Sequence, residues 1–175
     1  MASNPIITLS PKWISRSEIY GHDVVAQYRA RNNLASLAFS SHDAENDPVL
    51  QAHARMAEIA LCVWAGIDPL QELNWSGRCD DGWDVKVSDT RFDVKATGPR
   101  SQYLIWPIRK NSIFASKRFD SLALVRGEAA RFEIAGHIPK ALFATEHRVA
   151  DEAHVLDTGT WYMHQSELWT FPFLP

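Results

Sequence analysis

Two aspartates and a lysine, Asp84, Asp93 and Lys95, sit where charged and apolar residues alternate: Asp84-Val-Lys-Val87, then Arg91-Phe-Asp-Val-Lys95. That alternation is the mark of strands with one buried face. As a hairpin turning through Ser88-Asp89-Thr90-Arg91, one register pairs Val87 with Phe92 and Val85 with Val94, keeping the apolar side chains together. It sets Asp84 opposite Lys95 and Lys86 opposite Asp93 on the other face. Two carboxylates in one patch can hold a hard divalent cation through oxygen, the preference of Mg²⁺, with Mn²⁺ as a substitute. Such a cation polarises a scissile phosphate and lowers the pKa of an attacking water. Lys95 would orient that water or offset charge developing at phosphorus. Asp-x-Lys is a common tripeptide, and the bland alternative is a solvated strand pair laced by cross-strand ion pairs.

These strands need a scaffold, and the sequence supplies one. The first 15 residues read as extended or loose. Segment 16–40 has mixed helical character, with Val24, Val25, Tyr28, Leu34 and Leu37 as packing positions. His42 to Pro48 is turn-like, and Asp47 before Pro48 marks a helix start. Residues 49–66 read as a helix, with Leu50, Ala54, Ala57, Leu61 and Trp64 at three- and four-residue steps. Gly66 and Pro69 end it. Beyond the hairpin, residues 119–126 and 130–135 read as strands joined at Gly127-Glu128. Pro139 to Ala144 reads as a short helix, and Trp161 to His164 as a strand. A helix followed by strands and further helical elements implies an α/β domain around a mixed sheet. At 175 residues one domain, 1–175, is the economical reading.

Net charge is −3, yet the charge is unevenly placed. From Lys86 to Arg118 there are eight basic residues against two acids, a balance of +6 that leaves −9 for the rest. A basic zone on an acidic body suits a phosphate-binding cleft. Arg100, Arg109, Lys110, Lys117 and Arg118 are its candidate phosphate contacts. No Gly-rich phosphate loop or nucleophile elbow occurs, which argues against ATP hydrolysis and serine chemistry. The His residues show no close ligand pair; His147 and His154 are expected at the surface, and His137 in a packing or capping role. The longest apolar run, Ile59 to Ile67, falls short of the ~20 residues that cross a bilayer. Cys62 and Cys79 lie outside any metal-ligand spacing. With no signal-peptide pattern at the N-terminus, the expectation is an intracellular protein away from membranes.

Asp84, eight intervening residues and then Asp93-Val94-Lys95 on a neighbouring strand resembles the PD-(D/E)XK, restriction-endonuclease-like nuclease superfamily. In that family the first acid and the Asp/Glu-x-Lys follow an N-terminal helix that often contributes a Glu; here that helix carries Glu58. The phrases Asp81-Gly-Trp-Asp84 and Phe92-Asp-Val-Lys-Ala-Thr97 are similar to the family's. The strands at Phe119–Val125 and Phe132–Gly136 resemble its later core strands. The resemblance covers roughly residues 50–140. Trp83 stands where the family often has Pro, and Gln102-Tyr103 does not match the Gln-x-x-x-Tyr of the helicase-associated exonuclease branch.

The resemblance implies an α/β, restriction-endonuclease-like mixed sheet flanked by helices, and a Mg²⁺-dependent deoxyribonuclease. Asp84, Asp93 and the Val94 backbone carbonyl would ligate metal, Lys95 would assist the nucleophile, and Glu58 would bind a second metal or orient Lys95. Glu58 shares its helix face with Ala54, Leu61, Cys62 and Ala65, so it needs a partner: a metal, Lys95, or an Arg in a structural pair. The expected partner is DNA, selected by its shape or by another protein. Junction resolvases of this superfamily act as dimers, which puts a homodimer among the expectations. The rival reading is a nucleic-acid-binding module that keeps the fold without cleavage.

Overall fold

The structure, a computed structural model, describes residues 4–31, 47–76, 82–107, 110–154 and 156–171. Arg109, Cys79, Asp81, Leu34 and Leu37 lie outside the described residues. After strand β1 (Ile6–Thr8), helix α1 (Pro11–Arg31) opens with Pro11 in its first turn, where the missing N–H costs nothing. Helix α2 (Pro48–Trp64) is capped by Asp47, whose carboxylate accepts the amides of Val49 and Leu50 at 2.8 and 3.4 Å. It buries Ala52, Met56, Ile59, Ala60 and Leu61, and α1 packs against it.

A short helix α3 (Pro69–Glu72) leads to strands β2 (Val85–Val87) and β3 (Thr90–Thr97). Then come β4 (Tyr103–Trp106), α4 (Asn111–Phe114), β5 (Ser121–Glu128), β6 (Arg131–Pro139), α5 (Lys140–Glu146), β7 (Arg148–Val149) and β8 (Trp161–His164). The main sheet has five strands in the order β1-β6-β5-β3-β2; β3 and β5 run parallel and the other neighbours antiparallel. A smaller sheet, β4-β8-β7, is antiparallel throughout. The mixed α/β class expected from the sequence is therefore what the chain forms.

Two apolar layers follow from the strand alternation. Phe92, Val94, Ala123, Val125 and Ile134 share a core with α2. On the opposite side Leu122, Leu124 and Ile138 pack with Trp106, Phe114, Phe119, Phe143 and Met163, below the small sheet, α4 and α5. Strand β5 is buried on both faces, which is why Ser-Leu-Ala-Leu-Val reads as an almost unbroken apolar run.

Two turns differ from the sequence reading. The hairpin turns through Ser88-Asp89 alone, with φ of 53° at Ser88, and pairs Val85 with Phe92 and Val87 with Thr90. The register is thus two residues from the expected one. A positive φ at the first turn position suits Gly, and Ser88 hides that signal. Likewise β5 and β6 join at Ala129-Ala130, with φ of 50° at Ala129, rather than at Gly127-Glu128. Gly127 lies inside β5, where close strand packing requires a glycine: a Cβ there would stand 2.2 Å from the Arg131 carbonyl oxygen. β1, β4 and the early start of α1 are further elements that the sequence pattern does not announce.

Candidate active site

Asp84 ends the approach to β2. Gly82, with φ of +97°, brings the chain past the loop that follows α4; a Cβ there would lie 2.9 Å from the Arg118 amide nitrogen. The Asp84 amide then donates to the Phe92 carbonyl at 2.8 Å, and its Oδ2 accepts the Val94 amide at 2.6 Å. The ladder stops at Val85, so β3 has no strand partner on that side at Val94, and the Asp84 carboxylate supplies the missing acceptor. The two-residue shift in register replaces the expected Asp84–Lys95 pair with this bracket around Asp93.

Asp93 projects toward the second apolar layer and is only 1% exposed. Lys95 pairs with its Oδ1, and the Lys117 ammonium lies 3.3 Å from its Oδ2. Lys95 also sits over the Trp106 ring, 4.5 Å from the centroid, where the aromatic face favours a cation. Lys86, expected opposite Asp93, is instead exposed and opposite Arg91.

The two aspartates are driven apart in acidity. Burial pushes the Asp84 carboxyl well up, and the charges of Asp93 and then Glu58 push it further against the opposing pull of Lys95. Burial would also raise Asp93, yet Lys95 and Lys117 together hold it below the ordinary carboxylate range. One site thus holds a readily ionised acid and a reluctant one, an arrangement frequent where chemistry is done.

Glu58 acts on Asp84 from α2. Its ion pair with Arg55, three residues earlier, closes at 2.7 Å, with the two side chains 13% and 7% exposed. The Arg55 guanidinium also donates to the Asn74 carbonyl at 3.0 Å and lies 3.9 Å from the Tyr20 ring centroid. Of the three alternatives, the structure displays the Arg partner in Arg55. The sequence motif does not single out Arg55, Tyr20 or Trp106. The i,i+3 spacing of Arg55 and Glu58 is a readable signal, whereas nothing local marks Tyr20 or Trp106.

The basic zone divides. Arg100 and Arg118 are exposed and Lys110 is half-buried at the start of α4. Lys117, expected at a phosphate, turns inward to Asp93, and Arg91 forms a two-pronged pair with Asp120 at 2.7 and 2.8 Å. The Asp120 carboxyl is accordingly held down at about 2 by its hydrogen bonds to Arg91. With Lys95, three cations of the window are thus committed within the chain. His147 and His154 are half-buried, His147 stacking on Trp161 at 4.2 Å and His154 lying 4.4 Å from the Tyr162 ring. His137 packs between Phe92, Trp169 and Phe171. Cys62 is buried and its thiol pushed up to about 12, chiefly by burial, so it is inert packing.

Among the described residues no three His, Cys, Asp or Glu side chains converge as a ready ligand cluster. Mg²⁺ asks for less: it keeps several waters and is commonly held by one or two carboxylates. Asp84 and Asp93 are the two carboxylates that could hold such an ion, and a cation between them would relieve the repulsion that resists ionisation of Asp84. Likewise, no helix among the described residues is long and apolar enough to cross a membrane. Comparison with protein-family models, curated proteins and solved structures gave no match to this chain.

Proposed function

We propose that this chain is a Mg²⁺-dependent nuclease of the restriction-endonuclease-like, PD-(D/E)XK type that hydrolyses DNA phosphodiester bonds. The observation that carries the reading is the Asp84 bracket around Asp93, with Lys95 on the Asp93 carboxylate. The order of elements supports it: a helix with Glu58, an antiparallel hairpin bearing both acids, then a parallel strand reached through a crossover.

Asp84, Asp93 and the Val94 carbonyl would hold the ion, which supplies Lewis-acid polarisation of the phosphate and a more acidic water. The protein's own residues do the rest. Lys95, fixed between Asp93 and Trp106, presents its ammonium where negative charge grows in the transition state. Glu58, held by Arg55, adds negative potential at Asp84 and so favours a cation there. Arg100, Lys110 and Arg118 lie on the surface that receives the backbone of the nucleic acid, through contacts blind to sequence. A substrate chosen by shape, such as a junction, flap or end, or by a partner protein, suits contacts blind to sequence; two copies on one DNA would suit a homodimer.

A nucleic-acid-binding module without cleavage is the second reading. It is favoured by one feature: both oxygens of Asp93 are already met by lysines. Linear, circular and branched DNA incubated with Mg²⁺, Mn²⁺ or EDTA separates the two. Metal-dependent cleavage that disappears in Asp93→Asn supports the nuclease, and retained binding without cleavage under any metal condition supports the module.

A further inference from the structure

Asp93 is flanked by two ammonium groups rooted in different elements. Lys95 lies two residues away on β3 and is held from a second side by the Trp106 ring. Lys117 reaches the other oxygen from the loop after α4. Its backbone is pinned: the Lys117 amide donates to the Ile113 carbonyl at 3.2 Å, and the Lys140 ammonium donates to the Lys117 carbonyl at 2.5 Å and the Ala115 carbonyl at 3.0 Å. Lys140 in turn lies against the Phe119 and Phe114 rings, 4.8 and 5.5 Å from their centroids. A fixed root and a long flexible stem give Lys117 the means to exchange one anion for another without moving the fold.

The charges explain why it would. Around the site Lys95 and Lys117 both pair with Asp93, Arg55 pairs with Glu58, and Asp84 accepts the Val94 amide, so three cations already stand among three acids. A divalent cation added to that set is opposed by the ammonium already on the oxygen it needs. Of the two lysines on Asp93, Lys117 holds its oxygen from the greater distance, 3.3 Å, and comes from a separate loop rather than from the strand that carries the aspartate.

Resting on the nuclease reading, we infer that Lys117 is an exchangeable counter-ion: it occupies the Asp93 oxygen before metal arrives, yields it to the metal, and transfers its ammonium to the substrate phosphate brought there. Metal binding and phosphate binding are thereby coupled through one side chain. Without substrate, the displaced ammonium works against metal affinity; with substrate, it becomes a phosphate contact.

Calorimetric titration of Mn²⁺ into the purified full chain, without nucleic acid, tests this in wild type, Lys117→Met, Lys117→Arg and the remote control Lys86→Met. Removing the competitor should tighten Mn²⁺ binding by roughly tenfold or more, the scale of one close charge contact. Arg, which grips a carboxylate in two-pronged fashion and is always charged, should weaken it below wild type. The expected order is Met tighter than Lys, Lys tighter than Arg, with Lys86→Met unchanged. In the presence of a DNA duplex with Ca²⁺, Lys117→Met should bind the DNA more weakly. A merely structural Lys117 would leave Mn²⁺ affinity unchanged or lower it together with the melting temperature, and that result overturns the exchange. If Lys117→Met does not fold, the Lys117→Arg comparison decides: affinity equal to or above wild type overturns it. Absence of Mn²⁺ binding in wild type and every variant removes the nuclease reading itself.

Discussion

Asp84 straddles Asp93: its amide donates to the Phe92 carbonyl at 2.8 Å and its carboxylate accepts the Val94 amide at 2.6 Å, one residue to either side. The side chain thus completes β3 where β2 ends, and the same act crowds two carboxylates. The structural need could be met by a neutral acceptor, and burial with the charges of Asp93 and Glu58 outweighs what Lys95 and the Val94 amide do for the ionised form.

Asp84→Asn should therefore stabilise the metal-free protein at neutral pH, because Asn keeps an oxygen for the Val94 amide and loses the repulsion. The sign follows from the raised pKa of the buried Asp84 carboxyl. An acid whose folded pKa exceeds its unfolded value, about 4, favours the fold below that value and loses this contribution as pH rises through the folded pKa. The Asn variant should match wild type below about pH 4 and gain on it as pH rises, with about 1 kcal/mol appearing as ~2–4 °C in a chain of this size. Mn²⁺ binding and cleavage should be lost together. Melting curves across pH check this, and an Asn variant less stable at pH 7 than at pH 4, relative to wild type, would contradict it.

Lys95 and Lys86 separate catalysis from surface charge. Lys95→Ala should lose roughly 10²-fold or more in cleavage, the scale of one preorganised electrostatic group. It should also cost about 1–3 kcal/mol of stability, less than an abandoned buried charge, because Lys117 still meets Asp93. Lys86 is exposed and its amide, not its ammonium, is engaged, donating to Glu72 at 2.5 Å. Lys86→Ala should leave cleavage within about twofold and stability within about 0.5 kcal/mol. Single-turnover rates and denaturant titrations read both; equal losses at the two lysines would show that the wrong lysine has been assigned.

The candidate site residues are legible because alternation fixes parity: Val85, Phe92 and Val94 reach the α2 core whether the register is shifted by two residues or not. The shift itself is not legible. It is set by a two-residue turn whose positive φ falls on Ser88, a residue that does not announce it. Lys117 reads as a phosphate contact because its charge is visible in the basic window, while its direction depends on the fold of the α4 loop. Gly127 misleads in the opposite sense, since a glycine demanded by close strand packing looks the same in sequence as one demanded by a turn.

If the chain binds DNA as proposed, the division of the basic zone predicts which cations touch it. Arg100→Ala combined with Arg118→Ala should weaken DNA binding equally for all sequences and flatten the log–log salt dependence by about one unit for each phosphate the protein no longer neutralises. Arg91→Ala removes a cation already committed to Asp120 and should leave that slope unchanged. Fluorescence anisotropy between low and moderate salt distinguishes these outcomes; a flatter slope in Arg91→Ala alone would put the DNA track on the other side of the hairpin.

The last prediction concerns whether Glu58 serves the site or only its neighbour Arg55. The pair is largely shielded, and Arg55 is further held by Asn74 and Tyr20. Arg55→Met leaves the Glu58 charge buried without that partner and should destabilise the fold by roughly 3–5 kcal/mol. In the double variant Arg55→Met with Glu58→Gln the uncompensated charge is gone, and most of the loss should return, since a buried ion pair is often replaceable by neutral groups of similar volume. A purely structural Glu58 would then leave cleavage intact in the double variant. The electrostatic influence of Glu58 on Asp84 says otherwise: with that negative potential removed, Mn²⁺ affinity should fall and cleavage with it, even though the fold is restored. Glu58→Gln alone should show the same metal defect, and its raised Mn²⁺ requirement, measured as the concentration giving half-maximal cleavage, should match that of the double variant. Full activity at wild-type Mn²⁺ levels in a stable double variant would assign Glu58 to packing and leave the site to Asp84, Asp93 and Lys95.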